Sequence, residues 1–228
     1  DGVLLEKDLD VVETECDLHE RKRRDAEVLC TLAPNTHANS LELGTSFGNG
    51  TFKLATNLPE NFKVYTVNLL PEQAGLNAGK LVTHLLSKEE IGSFYRKHAL
   101  KNIEQIYANT LDWDLPSQLS DLGMVFIDAC HDAEFVYQDT KKVYDRVKEN
   151  GFILWHDFSP ILRSRIGWID QVMRGVEKFM REYGIQTEIV NLRNSWIGVL
   201  RKEKAVKTMG SPSKIQVEEP IHQPAKES

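Results

Sequence analysis

Short hydrophobic runs alternate along the chain with longer segments in which apolar residues recur at helical spacing. The short runs are rich in β-branched and aromatic residues and are bounded by Gly, Pro, Asn or Asp, a pattern typical of buried strands. They predict seven strands, at residues 39–43, 63–68, 103–109, 123–129, 151–157, 186–192 and 195–202.

The longer segments predict helices between these strands. A helix over residues 18–33 would end before Pro34 and precede the first strand. A strongly amphipathic segment over residues 132–150 would end at Asn150-Gly151, a pair typical of helix C-termini. The remaining helical segments are residues 51–58, residues 72–100, with breaks near Gly79 and Gly92, and residues 167–184.

The order of the elements predicts an α/β fold. Strands that alternate with helices form a mostly parallel sheet with helices on both faces. The link between the last two strands, Arg193-Asn194, is too short for a parallel crossover, so these strands would form an antiparallel hairpin. We therefore expect one Rossmann-like domain with a seven-stranded sheet and an N-terminal helical extension over residues 1–202. Residues 203–228, rich in Lys, Glu, Pro and Ser, predict a disordered tail.

Polar residues follow five of the predicted strands. Ligands of such sheets bind beyond the carboxyl ends of the strands, so these residues are candidates for a binding site. They are the segment 42–50, Asn68, Asn109, Asp128 and the pair His156-Asp157. The first segment contains three glycines within seven residues, which predicts a tight turn or a close approach of the backbone to a ligand.

The glycine spacing in LELGTSFGNG (41–50) is Glu-x-Gly-x-x-x-Gly-x-Gly, which differs from the Gly-x-Gly-x-x-Gly of dinucleotide enzymes. It resembles motif I of the class I S-adenosylmethionine-dependent methyltransferases, whose fold also ends in an antiparallel hairpin. The resemblance implies a loop that wraps the methionine part and the ribose of the cofactor. The cofactor-binding set that it implies is Glu42, Gly44, Thr45, Ser46, Phe47, Gly48, Gly50, Asn68, Asn109, Thr110 and Asp128.

A second resemblance lies in FIDACH (126–131) and LWHDF (154–158). These segments resemble the Ile-Asp-(Gly/Ala)-x-His and His-Asp-(Tyr/Phe) segments of the type 24 small-molecule methyltransferases. That group is related to catechol-type O-methyltransferases and to cephalosporin-hydroxylase-like proteins. The resemblance extends over about residues 17–202 and implies O-methylation of a small-molecule substrate.

The histidines and aspartates of these two segments are the candidates for catalysis. His131 and His156 are candidate bases, because an unperturbed imidazole titrates at about pH 6.5, and Asp128 belongs to the same catalytic set. Either histidine could instead be a buried side chain bonded to the backbone. Asp128 and Asp157 end neighbouring strands and could hold a divalent metal such as Mg²⁺, which would acidify a substrate hydroxyl. The alternative is that Asp128 orients the cofactor side and Asp157 caps the following turn.

Three positions depart from the family pattern. Asn68 stands where such enzymes usually have an acid that binds both ribose hydroxyls, and Asn109 replaces what is often an acid near the adenine. Charge-assisted hydrogen bonds are about twice as strong as neutral ones, so a domain that has kept the fold and lost turnover stays open as a function. Phe158 follows Asp157 where catechol-type enzymes have a metal-binding Asn. Two further enzyme classes stay open, a metal-dependent hydroxylase-like relative on the same fold and a nicotinamide oxidoreductase.

Composition narrows the range of partners. The 228 residues carry a formal net charge of −6, which argues against a broad surface for nucleic acid or anionic membranes. The basic run at residues 19–25 is bracketed by acids and predicts a solvated helix face. No apolar run reaches the roughly 18 residues of a membrane span. Three widely spaced cysteines favour a reducing, cytoplasmic location, and a homo-oligomer stays open. Trp155, Trp168 and Trp196 are expected in the core.

Overall fold

The computed structural model describes residues 18–74 and 85–204 of the chain. All seven predicted strands are present and form one sheet, in the order β3-β2-β1-β4-β5-β7-β6. The strands are β1 (Ser40–Leu43), β2 (Val64–Asn68), β3 (Ile103–Tyr107), β4 (Leu122–Ile127), β5 (Val147–Trp155), β6 (Val190–Asn191) and β7 (Gly198–Arg201).

The direction of the strands creates a crevice at the centre of the sheet. Strands β1 to β5 pair in parallel, whereas β7 runs antiparallel to both β5 and β6. The predicted terminal hairpin is therefore confirmed, although its connection extends from Leu192 to Ile197 and is longer than the predicted link. The chain first builds outward from β1 to β3 and then returns to place β4 on the other side of β1. This reversal of strand order is where ligands bind in open α/β sheets.

Helices cover both faces of the sheet. Helices α1 (Leu18–Leu32) and α2 (Asn49–Asn57) pack on one face, and α3 (Ala133–Tyr144) and α4 (Gly167–Glu182) on the other. Alternate residues of each strand contribute to the two cores, as the period of a strand requires. In β1, for example, Leu41 and Leu43 belong to the core under α3 and α4, so Glu42 faces the side of α2.

The predicted end of the third helix is wrong. Helix α3 ends at Tyr144, and the pair Asn150-Gly151 lies inside β5 rather than at a helix C-terminus. The cause is pairing with a distant segment of the chain. The backbone N–H of Asn150 donates to the carbonyl of Lys202 at 2.8 Å, and the N–H of Lys202 donates to the Gly151 carbonyl at 2.8 Å. Pairing with the chain after β7 therefore outweighs the local signal for a cap.

The predicted helical segment over residues 72–100 is also wrong where the structure describes it. Only short 3₁₀ turns occur there, at Pro71–Gln73 and Tyr95–Lys97. The backbone N–H groups of Gly92 and Phe94 donate to carbonyls in the segment 46–47, at 2.9 and 2.8 Å, so they do not form a helix. Gly79 lies outside the described residues, as does the predicted tail from residue 205 onward.

The three tryptophans that were expected in the core differ in burial. Trp155 is fully buried, and its indole N–H donates to Thr140 Oγ1 at 2.8 Å, which confirms the expectation of a core residue. Trp196 is half-buried beneath the Arg21 guanidinium, 4.5 Å from the ring centroid. The prediction for Trp168 is wrong, because this side chain is 49% exposed at the first turn of α4.

No helix within residues 18–74 and 85–204 combines the length and the apolar character needed to cross a bilayer.

Candidate active site

The turn after β1 brings the backbone of Gly44 against the end of β4. Gly44 has a φ of 101°, and a Cβ atom on it would lie 1.9 Å from the carbonyl oxygen of Asp128. The N–H groups of Gly44 and Thr45 both donate to the Val67 carbonyl, at 2.8 and 3.2 Å, which fixes the turn to β2. Only glycine fits this approach, so the close contact predicted from the glycine spacing is here a contact between two strand ends.

A cavity of about 390 Å³ opens beside this turn, at the carboxyl ends of the central strands. Most of the predicted cofactor-binding residues line it, together with the predicted base His131. These lining residues are Gly44, Ser46, Phe47, Asn68, Asn109, Thr110, Asp128 and His131. The volume is within the roughly 300–1,000 Å³ of small-molecule sites.

Four residues of the predicted cofactor-binding set do not line the cavity. They are Glu42, Thr45, Gly48 and Gly50. Glu42 is 1% exposed and accepts hydrogen bonds from the hydroxyls of Thr51 and Thr66, the latter at 2.6 Å. A Cβ atom on Gly50 would lie 2.3 Å from Glu42 Oε1, so this glycine makes room for the carboxylate. Glu42 therefore supports the loop from beneath, and burial raises its pKa to about 7 although both threonines oppose the shift.

The two asparagines that replace family acids hydrogen-bond to the protein itself. Asn68 Oδ1 accepts from the Ser46 N–H at 2.9 Å, and Asn68 Nδ2 donates to the Leu69 carbonyl at 2.9 Å. Asn109 Nδ2 donates to Asp112 at 2.9 Å, and its Oδ1 accepts from the Leu111 N–H at 3.2 Å. Both side chains thus hold the walls of the cavity in place.

Two carboxylates and an imidazole converge beside the cavity. Asp128, His131 and Asp157 each offer a ligand atom, and these atoms all lie within 4.8 Å of one another. His131 Nε2 is 3.0 Å from Asp157 Oδ2. Burial disfavours the charged form of both groups, but their pairing outweighs it, so the pKa of His131 is raised and that of Asp157 is lowered. The arrangement can bind a cation or hold a proton beside the cavity.

His156 lies behind this group and does not line the cavity. Its Nδ1 is 3.2 Å from Asp128 Oδ1 and 3.3 Å from Asp157 Oδ2. Its Nε2 is 3.3 Å from Asp25 Oδ2. Burial opposes protonation of the ring, but the three carboxylates, with Asp128 foremost, hold the pKa of His156 well above its ordinary value.

Comparison with known protein families identifies the family of this chain. Residues 41–158, more than half of the chain, match a family described as a methyltransferase domain (type 24). The chain belongs to this family of class I methyltransferases. The matched segment begins with the glycine turn and ends just after Asp157, so it contains the whole cavity wall described above.

Solved structures share the fold of this methyltransferase. They include the O-methyltransferase NovP, with a TM-score of 0.62 and 13% identity over 78% of this chain and 79% of that one. The O-methyltransferase TomG from Streptomyces achromogenes, solved with S-adenosylmethionine, has a TM-score of 0.52 and 15% identity over 88% and 92% of the two chains. An O-methyltransferase from Bacillus cereus, solved with S-adenosylhomocysteine, has a TM-score of 0.55 and 16% identity over 82% and 84%. A search of curated proteins found no significant match.

Sequence reasoning missed two residues that contact the candidate site through His156, namely Arg21 and Asp25. Lys22 and Arg23 are exposed as predicted, and Arg23 and Arg24 pair with Glu27 at 3.0 and 2.8 Å. Arg21 and Asp25 instead turn inward to His156. The sequence could have indicated this from helical spacing, because Arg21 and Asp25 fall on the same helix face as the buried residues 28, 29 and 32.

The variant Glu42→Gln tests the buried acid beneath the loop. Because the folded pKa of about 7 exceeds the ordinary 4.5, the folded state holds the proton more tightly, and stability is lost as pH rises between these values. At about 1.4 kcal/mol per pKa unit, the loss is about 3 kcal/mol. Glutamine cannot ionise, so we expect the free energy of unfolding of the variant, relative to the wild type, to rise by up to this amount between about pH 5 and pH 8.

Urea denaturation at the two pH values measures this difference. Glu104→Gln, at a half-exposed position of β3 that pairs with Lys63, is the control for loss of a carboxylate. A difference between Glu42→Gln and the wild type that is equal at both pH values would show that Glu42 does not titrate in this range.

Proposed function

We propose that this methyltransferase transfers the methyl group of S-adenosylmethionine to a hydroxyl group of a small molecule, assisted by a divalent ion bound by Asp128, His131 and Asp157. The observation that carries the proposal is the shared cavity. Asp128 and His131 line the same cavity as Gly44. Side chains that could activate a substrate hydroxyl therefore lie beside the backbone turn that could bind the cofactor. The O-methyltransferases NovP and TomG, which share the fold, support the choice of oxygen as acceptor.

The cavity suits the cofactor through its backbone. The turn at Gly44 presents main chain rather than side chain at the end of β1, and Asn109 and Thr110 also line the cavity. The cofactor supplies a methyl group activated by the sulfonium to which it is bonded. The task of the chain is to align this group with the acceptor, since orientation alone contributes about 7–11 kcal/mol to well-aligned reactions. The relatives solved with S-adenosylmethionine and S-adenosylhomocysteine support this assignment.

The donor set fits a divalent metal. Two carboxylates that converge within 4.8 Å need a positive charge between them, and His131 beside Asp157 supplies part of it here. Oxygen ligands alone suit Mg²⁺, whereas an imidazole in the set favours Mn²⁺, Fe²⁺ or Zn²⁺. A bound divalent ion would lower the pKa of a substrate hydroxyl. Phe158, which replaces the Asn of catechol-type enzymes, leaves His131 as the third ligand in this proposal.

The residues of the site then have separate tasks. Asp128 lines the cavity and is positioned to accept the proton of the substrate hydroxyl. The His156 ring is enclosed by carboxylates, and its task is to orient them. Trp168 is exposed, with its indole nitrogen 3.4 Å from Asp157 Oδ1, and in this proposal it offers a planar surface to the substrate.

A domain that binds the cofactor without turnover is the second candidate function. Asn68 and Asn109 favour it, because both amides are tied to protein atoms and neither brings a negative charge to the cofactor. Methyl transfer to a panel of small phenols and alcohols, followed with radiolabelled cofactor, separates the two. Transfer supports the enzyme, and cofactor binding without any transfer supports the binding domain.

The variant Gly44→Ala tests the cofactor site. The added methyl group would collide with the Asp128 carbonyl at a φ that alanine rarely adopts, so the turn must move. We expect the wild type to bind S-adenosylmethionine in isothermal calorimetry and the variant to bind at least about tenfold more weakly, a change of about 1.4 kcal/mol. Gly184→Ala is the matched control, because Gly184 has a φ of 62° and nothing within 4 Å of an added Cβ. Unchanged affinity in Gly44→Ala would place the cofactor elsewhere.

The variant Asp157→Asn tests the metal site. We expect it to weaken Mn²⁺ binding, measured by electron paramagnetic resonance of the free ion, by more than about 100-fold, which exceeds the usual cost of losing an outer partner of a ligand. Asp170→Asn is the control, because this carboxylate lies on α4 and pairs with Arg163 and Arg174, at 2.9 and 2.7 Å. Equal Mn²⁺ affinity in Asp157→Asn and the wild type would remove Asp157 from the ligand set.

A further inference from the structure

We propose that Asp25, on helix α1, is a positioning residue for the metal site, because it holds the His156 ring in the orientation that directs Nδ1 at Asp128 and Asp157. The inference rests on the proposed metal-assisted function. It assigns a task in the site to the N-terminal helix, which lies outside the segment that matches the methyltransferase family.

One oxygen of Asp25 fixes the carboxylate in the fold. Asp25 Oδ1 accepts from the Ser195 hydroxyl and from the Trp196 N–H, both at 2.8 Å, in the connection between β6 and β7. The residue is 8% exposed, although it is a charged side chain in the middle of helix α1. These two bonds anchor α1 and leave Oδ2 to face the sheet.

The second oxygen meets the histidine. Asp25 Oδ2 is 3.3 Å from His156 Nε2, and Nη1 of Arg21 is 3.2 Å from both of these atoms. An arginine can only donate, whereas Asp25 can accept, so Asp25 favours a proton on Nε2 and also offsets the charge of Arg21. The ring is thus held at one nitrogen by a carboxylate that is itself held by the connection between β6 and β7.

The other ring nitrogen faces the proposed ligands. His156 Nδ1 lies 3.2 Å from Asp128 Oδ1 and 3.3 Å from Asp157 Oδ2, but neither contact has the alignment of a hydrogen bond. The orientation of the ring, fixed at Nε2, therefore decides how Nδ1 engages the two carboxylates. Outer partners of this kind set the direction of metal ligands, and their loss typically weakens metal binding about 10- to 100-fold.

The rival explanation is that Asp25 only anchors α1 to the β6–β7 connection. The variant Asp25→Asn separates the two explanations. Its amide oxygen can still accept hydrogen bonds from Ser195 and Trp196. In that orientation the NH₂ group points toward His156 Nε2 and Arg21, so that donors face donors. The variant thus keeps the anchor and breaks the link to the histidine.

The test is a double-mutant cycle on the full chain with Mn²⁺ as the probe. We expect Asp25→Asn and His156→Gln each to weaken Mn²⁺ binding about 10- to 100-fold, and the double variant to bind no more weakly than His156→Gln alone. Affinity for S-adenosylmethionine and the melting temperature are measured for each variant. Ser195→Ala, which removes part of the anchor and leaves Oδ2 in place, should bind Mn²⁺ as the wild type does.

Each contrary outcome identifies what has failed. Wild-type Mn²⁺ affinity in Asp25→Asn, or losses that add in the double variant, would overturn the positioning role and leave the metal site standing. A wild type that binds S-adenosylmethionine but no Mn²⁺ would overturn both the metal site and this inference. If Asp25→Asn does not fold, Asp25→Glu, which keeps the charge and displaces the oxygens, enters the same cycle with the same expectation.

Discussion

The site depends on one close approach, that of the Gly44 backbone to the Asp128 carbonyl. No side chain larger than hydrogen fits between them, since a Cβ atom would lie 1.9 Å from the oxygen. The approach brings the end of β1 beside the end of β4 at the centre of the sheet. It thereby places a main-chain turn suited to an adenosyl cofactor next to the carboxylate that begins the Asp128-His131 segment. In the proposed function, the cofactor and the methyl acceptor meet here because these two backbone segments are in contact.

Much of the support for this approach is polar and buried. Glu42 and the hydroxyls around it hold the loop from below, and the histidine pair balances the negative charge of Asp128 and Asp157. Buried charges of this kind are costly unless they are paired, so they occur where a protein needs specific geometry rather than stability alone. In this methyltransferase they surround the cavity wall on which the proposed chemistry relies.

The sequence was sufficient for the sheet and for most of the cavity wall. Seven runs of strand character became seven strands, because each run carries a local pattern of β-branched and aromatic residues that is recognised without its partner strands. The polar residues at strand ends met in one place, as parallel strands require. The convergence of Asp128 with His131 followed from their closeness in the chain, and that of Asp157 from the neighbouring strand.

The features that sequence reasoning missed depend on contacts between distant segments. The cap signal at Asn150-Gly151 lost to pairing with Lys202, and Trp168 is exposed because it precedes the buried face of α4. Asp25 belongs to a highly charged stretch that predicts a solvated helix face, but its position in the helix places it on the buried face. Only the fold shows that its partner is His156, which lies 131 residues further along the chain.

The most direct measurement is a crystal structure of the protein with S-adenosylhomocysteine and Mn²⁺, with anomalous data collected for manganese. We expect the adenosyl compound against the Gly44 turn, in the cavity that Asn109 and Thr110 also line, and a manganese peak coordinated by Asp128, His131 and Asp157. A compound bound away from that turn, or manganese bound to other residues while this group stays hydrogen-bonded to itself, would contradict this expectation.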